Sequence, residues 1–210
     1  MGTENTPVEG EFYLLRPDVR GGGRGHGVVL ENENELPLPE HLSEPPSAGG
    51  IGSMNEIPRL RYDSRIGEMP EDLQAGFKGY WLVSEALKSA MQTMDADGFS
   101  FMKCEFRLED GSEAAPHYLC EVVRVLDAID EDASSVKILT DDYPNGKYYS
   151  IGGGAKFAFR KSVIGTAHVF RTPYTSNAFC DRAMRNFLIE SGFGRHPNAR
   201  GVRLTDASDI

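Results

Sequence analysis

The sequence lacks a long apolar run and has few cysteines. No stretch approaches the roughly 20 apolar residues that a membrane-spanning helix needs. The first ten residues are polar and acidic, unlike the basic stretch and apolar core of a secretory signal. The three cysteines among 210 residues are odd in number and widely spaced, which favours reduced thiols over a disulfide framework. These absences predict a cytoplasmic protein.

Positive charge is also in short supply. The chain has 22 Lys and Arg against 32 Asp and Glu, a formal net charge of -10 and a pI near 5.0. Because nucleic-acid binders neutralise phosphates with Lys and Arg, this balance argues against that function. A basic protein partner fits the charge better, although solubility alone also explains an acidic surface.

Motifs for metals and cofactors are missing as well. No Cys-x-x-Cys occurs, and four histidines lie scattered in predicted loops without metal-ligand spacing: His26, His41, His117 and His196. The glycine-rich segment 21–27 lacks the Gly-Lys-Ser/Thr ending of a phosphate loop and has no helix directly behind it. We therefore predict no metal and no cofactor.

The most informative stretch of the sequence, residues 164–207, has the order strand, capped helix, glycine, strand. An apolar strand ends at Arg171 and is followed by turn residues. Asp181 is suited to N-cap a helix over 181–191, and Gly192 is suited to end it. Val202 then begins a returning strand.

The same order occurs earlier in the chain. A strand over 80–83 leads to the cap residue Ser84 and a helix over 84–94, with a glycine and a strand over 100–106 behind it. The five residues from Ser84 align with the five from Asp181, cap with cap and apolar with apolar. A structural unit used twice explains the match, and so does chance similarity between two capped helices.

Other apolar segments predict short strands, and residues 71–78 a brief helical turn. The strands are expected at 12–18, 27–30, 57–62, 118–130, 136–139, 147–150 and 157–160. Close links between successive strands favour an α+β fold, with a mainly antiparallel sheet and two or three packed helices. We divide the chain into residues 1–56, an opening strand with an acidic Gly/Pro-rich arm, and residues 57–210, the main domain.

Several of these segments resemble the bacterial immunity protein family 11. The resemblance is carried by Tyr80–Leu87, Tyr118–Asp130, Ile164–Asp181 and Gly201–Ala207, with the opening strand Phe12–Asp18 in addition. It implies a cytoplasmic protein that binds a cognate toxin domain and protects the producing cell, with no catalysis of its own. It also implies that the shared motifs are structural, so they do not locate a binding site.

Two acidic groups are candidate contacts for a basic toxin. The denser one, which we predict to be the toxin-binding site, comprises Asp127, Asp130, Glu131, Asp132, Asp141 and Asp142. The other comprises Glu31, Glu33, Glu35, Glu40 and Glu44. Either group could meet a cationic groove, and either could be a solvated turn. The pair Asp141-Asp142 lacks the spacing of an EF-hand calcium loop.

Two other function classes stay open. Cys180, His168 and Asp181 are the residue types of a thiol nucleophile, its base and an orienting acid, so a cysteine-dependent hydrolase is one alternative. Asp181 is equally explained as a helix cap and Cys180 as a small apolar residue. An adaptor module of a secretion system is the other alternative.

Overall fold

Two strand-and-helix units of like topology face each other in the structure. The computed structural model describes residues 6–20, 25–36, 50–140, 142–143 and 145–210. Within these residues the α-helices are α1 (Glu85–Asp95), α2 (Lys161–Ile164) and α3 (Arg182–Glu190). The strands are β1 (Phe12–Pro17), β2 (Val28–Leu30), β3 (Arg59–Tyr62), β4 (Leu73–Phe77), β5 (Tyr80–Ser84), β6 (Phe99–Lys103), β7 (Glu105–Arg107), β8 (His117–Val122), β9 (Ile129–Ser135), β10 (Lys137–Leu139), β11 (Tyr148–Ser150), β12 (Lys156–Phe159), β13 (Val169–Arg171), β14 (Ala178–Asp181) and β15 (Val202–Asp206).

We call one four-stranded sheet with its helix the first unit, and the other the second unit. The first unit has the strand order β4-β5-β8-β6 and contains α1, and the second has the order β13-β14-β1-β15 and contains α3. All neighbours in both sheets are antiparallel. In each unit the second strand in the sheet order leads into the helix. The chain then passes over the third strand, β8 or β1, and forms the fourth, β6 or β15. The mainly antiparallel α+β prediction is confirmed.

Both helices begin where the sequence predicts. Ser84 Oγ accepts a hydrogen bond from the Leu87 amide at 3.2 Å, and Asp181 Oδ1 accepts one from the Met184 amide at 2.8 Å. Each cap satisfies an amide that has no partner inside its helix. Gly192, with φ +89°, follows α3 in a conformation that favours glycine.

A central core lies between the two sheets and contains the buried faces of α1 and α3. Its fully buried members come from both units, among them Val83, Leu87, Cys180, Met184 and Leu188. The outer face of each sheet is covered by further strands. The sheet β2-β3-β7 lies over the first unit, and the pairs β9-β12 and β10-β11 lie over the second. This arrangement covers most of both faces of both central sheets and leaves Arg16 and Arg203, at one end of the second sheet, only partly buried.

Three expectations about local structure need correction. The segment 71–78 contains the strand β4, Leu73–Phe77, instead of a helical turn. Its register is interrupted between Gln74 and Phe77, which puts Leu73 in the central core and Phe77 in the outer core. The predicted strand over 118–130 is two strands, since the chain leaves the first sheet after Val122. The strand β14 was not predicted, because its residues lie between turn signals and a helix cap.

The acidic arm packs partly against the first unit. Short 3-10 turns cover Glu33–Glu35 and Gly50–Ser53, and Leu36, Ile51 and Met54 are buried in its outer core. Residues 37–49 of the arm lie outside the described part of the chain. The domain division at residue 56 stays a prediction.

Candidate partner-binding surface

The predicted acidic site lies where β9 and β11 cover the second unit. Asp127 accepts a hydrogen bond from Arg160 Nη2 at 3.0 Å. Glu131 accepts one from the Tyr149 hydroxyl at 2.5 Å and another from the Lys147 ammonium. The charge of Asp127 also acts on Lys147, whose ammonium group donates to Glu131.

The other members of the site are placed differently. Asp130 Oδ1 accepts a hydrogen bond from the Ala133 amide at 3.3 Å, in the part of β9 where the register with β12 shifts. Asp132 and Asp142 are exposed, and neither forms an ion pair with a described residue. Asp141 lies outside the described residues. Among the described members of the site, Asp132 and Asp142 are therefore the exposed carboxylates without an ion pair.

The hydrogen bonds around Glu131 set its ionisation. Those from Lys147 and Tyr149 hold the pKa of Glu131 below its usual value. Burial, followed by the interaction with Glu131, raises the pKa of Tyr149 well above its ordinary value. The Lys147 ammonium lies 4.1 Å from the centre of the Tyr174 ring. Glu131 is thus an ionised structural anchor for this corner as well as part of the acidic surface.

Exposed apolar side chains precede the acidic site. Val123 and Val125 are 42% and 43% exposed, on the segment that joins β8 to β9. This segment runs beside β13, with the Leu126 amide donating to the Arg171 carbonyl at 2.7 Å and the Arg171 amide donating to the Arg124 carbonyl at 2.8 Å. The two valines are therefore held on ordered backbone ahead of Asp127 in the chain.

A buried ion pair between the units was not foreseen from the sequence. Arg171 Nη2 on β13 lies 3.3 Å from Glu121 Oε1 on β8, and both side chains are 8% exposed. The Ile51 amide donates to Glu121 Oε2 at 3.1 Å. The pair therefore joins both sheets and the returning end of the acidic arm. These two residues meet only because of the strand register and the way the two sheets pack. No local sequence pattern could have predicted this ion pair.

The thiol constellation does not assemble into a nucleophilic site. His168 Nδ1 lies 2.8 Å from Asp181 Oδ2, so two of its members touch. Cys180 is fully buried in the central core, and burial raises the pKa of its thiol far above the ordinary value. A nucleophile must be accessible and ionised, and Cys180 is neither.

The described residues contain neither a metal-binding cluster nor a membrane-spanning helix. Within 6–20, 25–36, 50–140, 142–143 and 145–210, no group of three or more His, Cys, Asp or Glu side chains is placed to hold a metal ion. None of the helices in that part of the chain has the length and apolar character needed to span a membrane.

Comparison with known proteins identifies the family. The model of the immunity protein family Imm11 matches residues 11–209, nearly the whole chain. The chain therefore belongs to this family, and the resemblance noted in the sequence is confirmed. A search of the curated proteins found no match.

Proposed function

We propose that this Imm11 family member is an immunity protein that neutralises a cognate antibacterial toxin by forming a non-covalent complex. The observation that carries the proposal is the family match over residues 11–209, which spans both units and the strands that cover them. Because the match is not confined to one motif, it supports a function of the whole fold. The proposal includes a cytoplasmic location, where the unpaired thiols Cys104, Cys120 and Cys180 would stay reduced.

Binding explains the described side chains better than catalysis does. All three thiols are buried, and burial raises their pKa values. The His168 and Asp181 pair is accounted for by the cap of α3, since Asp181 also accepts from the Met184 amide. A protein that acts by occupying a surface needs neither a nucleophile nor a cofactor.

The toxin-facing surface of this proposal is the acidic site together with the exposed valines before it. Asp132 and Asp142 supply negative charge, and Val123 and Val125 supply apolar area. Acidic surface speeds encounter with a basic partner, and apolar contacts then slow dissociation. The second acidic group is a weaker candidate, because Glu31, Glu33 and Glu35 pair with Arg61, Lys78 and Arg59.

Co-expression tests the function directly. We expect cells that produce the toxin domain encoded beside this gene to survive when they also produce this protein, and the two proteins to purify as one complex. The Cys180→Ala variant should protect equally well, since no thiol chemistry is involved. Full toxicity in the presence of the soluble wild-type protein would refute the proposal.

Charge reversal tests the surface separately. The double variant Asp132→Lys/Asp142→Lys should weaken toxin binding and flatten its dependence on salt, because both carboxylates are free of cations among the described residues. Glu33→Lys/Glu35→Lys makes the same change of charge in the arm and serves as the matched control. Equal affinity of the two double variants would remove the acidic site as the binding surface.

A further inference from the structure

Two arginines face each other across neighbouring strands of the second unit. Arg16 on β1 and Arg203 on β15 are direct partners in the antiparallel register. Phe12 and Leu14, at alternate positions before Arg16, lie in the outer core, so Arg16 extends from the same face of the sheet. Like charges in direct cross-strand pairs are destabilising, so this placement needs an explanation.

The described residues do not explain why Arg16 lies opposite Arg203. The Nε–H of Arg16 is buried and has no hydrogen-bond partner among them, and neither Arg16 nor Arg203 forms an ion pair with any of them. Asp18 is close enough for its charge to act on both. Its two oxygens, however, already accept from Arg20 Nε at 2.8 Å and Arg20 Nη2 at 2.7 Å.

The neighbouring positive charges disfavour the charged form of Arg16. Burial, and then the charges of Arg203 and Arg20, lower the pKa of Arg16. Three guanidinium groups thus lie around Asp18, whose charge also acts on the neighbouring carboxyl group of Glu71, in a chain whose formal net charge is -10. Positive charge is concentrated here although the chain as a whole is acidic.

The first unit shows what a partnered side chain at this position looks like. Glu121 occupies the place on β8 that Arg16 occupies on β1, counted from the strand positions opposite the two helix caps. Its neighbour on β6 is the uncharged Ser100. Glu121 is held by Arg171 and by the Ile51 amide. Arg16 has no such partners among the described residues.

We propose that Arg16 and Arg203 form a docking site for a carboxylate side chain of the toxin partner. This inference rests on the proposed function and deepens it. Two guanidinium groups on adjacent strands can donate several hydrogen bonds to one carboxylate, which would also relieve their repulsion. An acidic protein surface is favoured over nucleic acid, since the net negative charge of the chain would repel an extended phosphate backbone. The arginines would bind an acidic side chain of the partner, and the acidic site would bind a basic one. Together these two contacts would fix the orientation of the partner.

The test compares affinity and stability in the same variants. Arg16→Gln and Arg203→Gln should each weaken binding of the adjacent toxin domain about tenfold or more, while the thermal midpoint of the free protein stays unchanged or rises. Arg59→Gln is the matched control, because it removes an arginine on β3 that already pairs with Glu35. This change should alter the affinity less than twofold.

Each other outcome has a definite meaning. Wild-type affinity in both variants would overturn the docking site and leave the proposed function standing. A midpoint lowered by several degrees in both would show that the guanidinium groups are structural, and would also overturn it. Binding of a short double-stranded DNA by the wild type, lost in both variants, would overturn the choice of a protein carboxylate. Failure of the wild type to bind the toxin domain would refute the proposed function and this partner together.

Discussion

The first unit and the second unit have the same strand order, yet they differ in how completely their side chains are partnered. Cap residues show the likeness: the Ser84 amide donates to the Asp72 carbonyl and the Asp181 amide to the His168 carbonyl, both at 3.0 Å. The third strands, β8 and β1, show the difference: Glu121 in the first unit has side-chain partners, whereas Arg16 in the second has no side-chain hydrogen bond or ion pair with a described residue. The two side chains occupy equivalent positions, so the comparison distinguishes a side chain used within the fold, Glu121, from one that we propose to bind a partner, Arg16.

The loops behind the two helices extend the likeness. Asp95, at the end of α1, accepts from the His168 and Val169 amides at the start of β13. Arg200, in the loop after α3, pairs with Asp72 just before β4, at 2.7 and 2.8 Å. Each helix end therefore fastens the first strand of the other unit, so we expect the two units to unfold together.

The largest effect is expected from breaking the buried ion pair. Glu121→Leu would leave the Arg171 guanidinium buried without its partner, which costs about 4 kcal/mol of unfolding free energy. The double variant Glu121→Leu/Arg171→Met should recover most of that loss. Denaturant unfolding of the three proteins measures both changes, and an equal loss in single and double variants would show that the ion pair is not the cause.

Core truncation tests whether the two units form one cooperative structure. Leu87 of α1 and Met184 of α3 follow their caps by three residues and are both fully buried. Leu87→Ala and Met184→Ala should each lower the unfolding free energy by about 3 kcal/mol, through lost burial and the cavity left behind. Calorimetry should show a single transition in both cases. Two separate transitions in either variant would mean that the units unfold independently.

Removal of the helix caps should have a smaller effect. Ser84→Ala and Asp181→Ala each leave a helix amide without its side-chain acceptor, at a cost of about 1 kcal/mol. Each cap also has a second side-chain contact, since Ser84 Oγ donates to Asp72 Oδ1 at 2.5 Å and Asp181 Oδ2 lies 2.8 Å from His168 Nδ1, so the two losses should be similar. The exposed Ser89→Ala change on α1 is the control and should leave stability unchanged. Chemical denaturation resolves these differences.

The caps and helices were predictable, whereas the pairing of the strands was not. A cap needs only a residue and an amide three positions later, so Ser84 and Asp181 could be found from local pattern. The ion pair of Glu121 and Arg171 joins residues 50 positions apart and depends on how two sheets meet. The same limit hid the register of Arg16 with Arg203, since neither strand indicates its neighbour.

The candidate site shows the same division. Asp127 and Glu131 are close in sequence, so the acidic cluster could be proposed from composition. Their neutralisation by Arg160 and Lys147 depends on strands β11 and β12, which come later in the chain. Composition therefore located the acidic residues but could not show that Asp132 and Asp142 are exposed without an ion pair to a described residue.

A weaker test concerns the cation that lies on a tyrosine in each unit. The Lys88 ammonium is 4.4 Å from the Tyr118 ring centre, and the Arg185 guanidinium carbon is 5.4 Å from the Tyr13 ring centre. Lys88→Gln and Arg185→Gln should each cost about 0.5 kcal/mol. In the Tyr118→Leu and Tyr13→Leu backgrounds the same changes should cost less, because the cation–π contribution is absent and only other contacts, such as the ion pair of Lys88 with Glu85, remain. A double-mutant cycle without coupling energy would show that these two cation–π contacts do not stabilise the units.

The smallest effect concerns acid stability and has opposite signs in the two units. Hydrogen bonds from Arg20 lower the pKa of Asp18 from 3.8 to about 2. A lowered pKa contributes stability above pH 3.8 that is lost as the pH falls towards 2. Burial instead raises the pKa of Glu121, so its contribution is present at low pH and is lost as the pH rises through the raised value.

Asp18→Asn should therefore reduce stability at pH 7 by no more than about 0.5 kcal/mol, since Arg20 is largely in solvent, and the difference from wild type should vanish near pH 2. Arg20→Gln should reproduce this profile, because it removes the other half of the same pair. Glu121→Gln should change the pH dependence in the opposite sense, because it removes a carboxyl group whose pKa is raised in the folded protein. Unfolding measured from pH 2 to 7 distinguishes the two, and parallel profiles for Asp18→Asn and Glu121→Gln would contradict the contrast between the units.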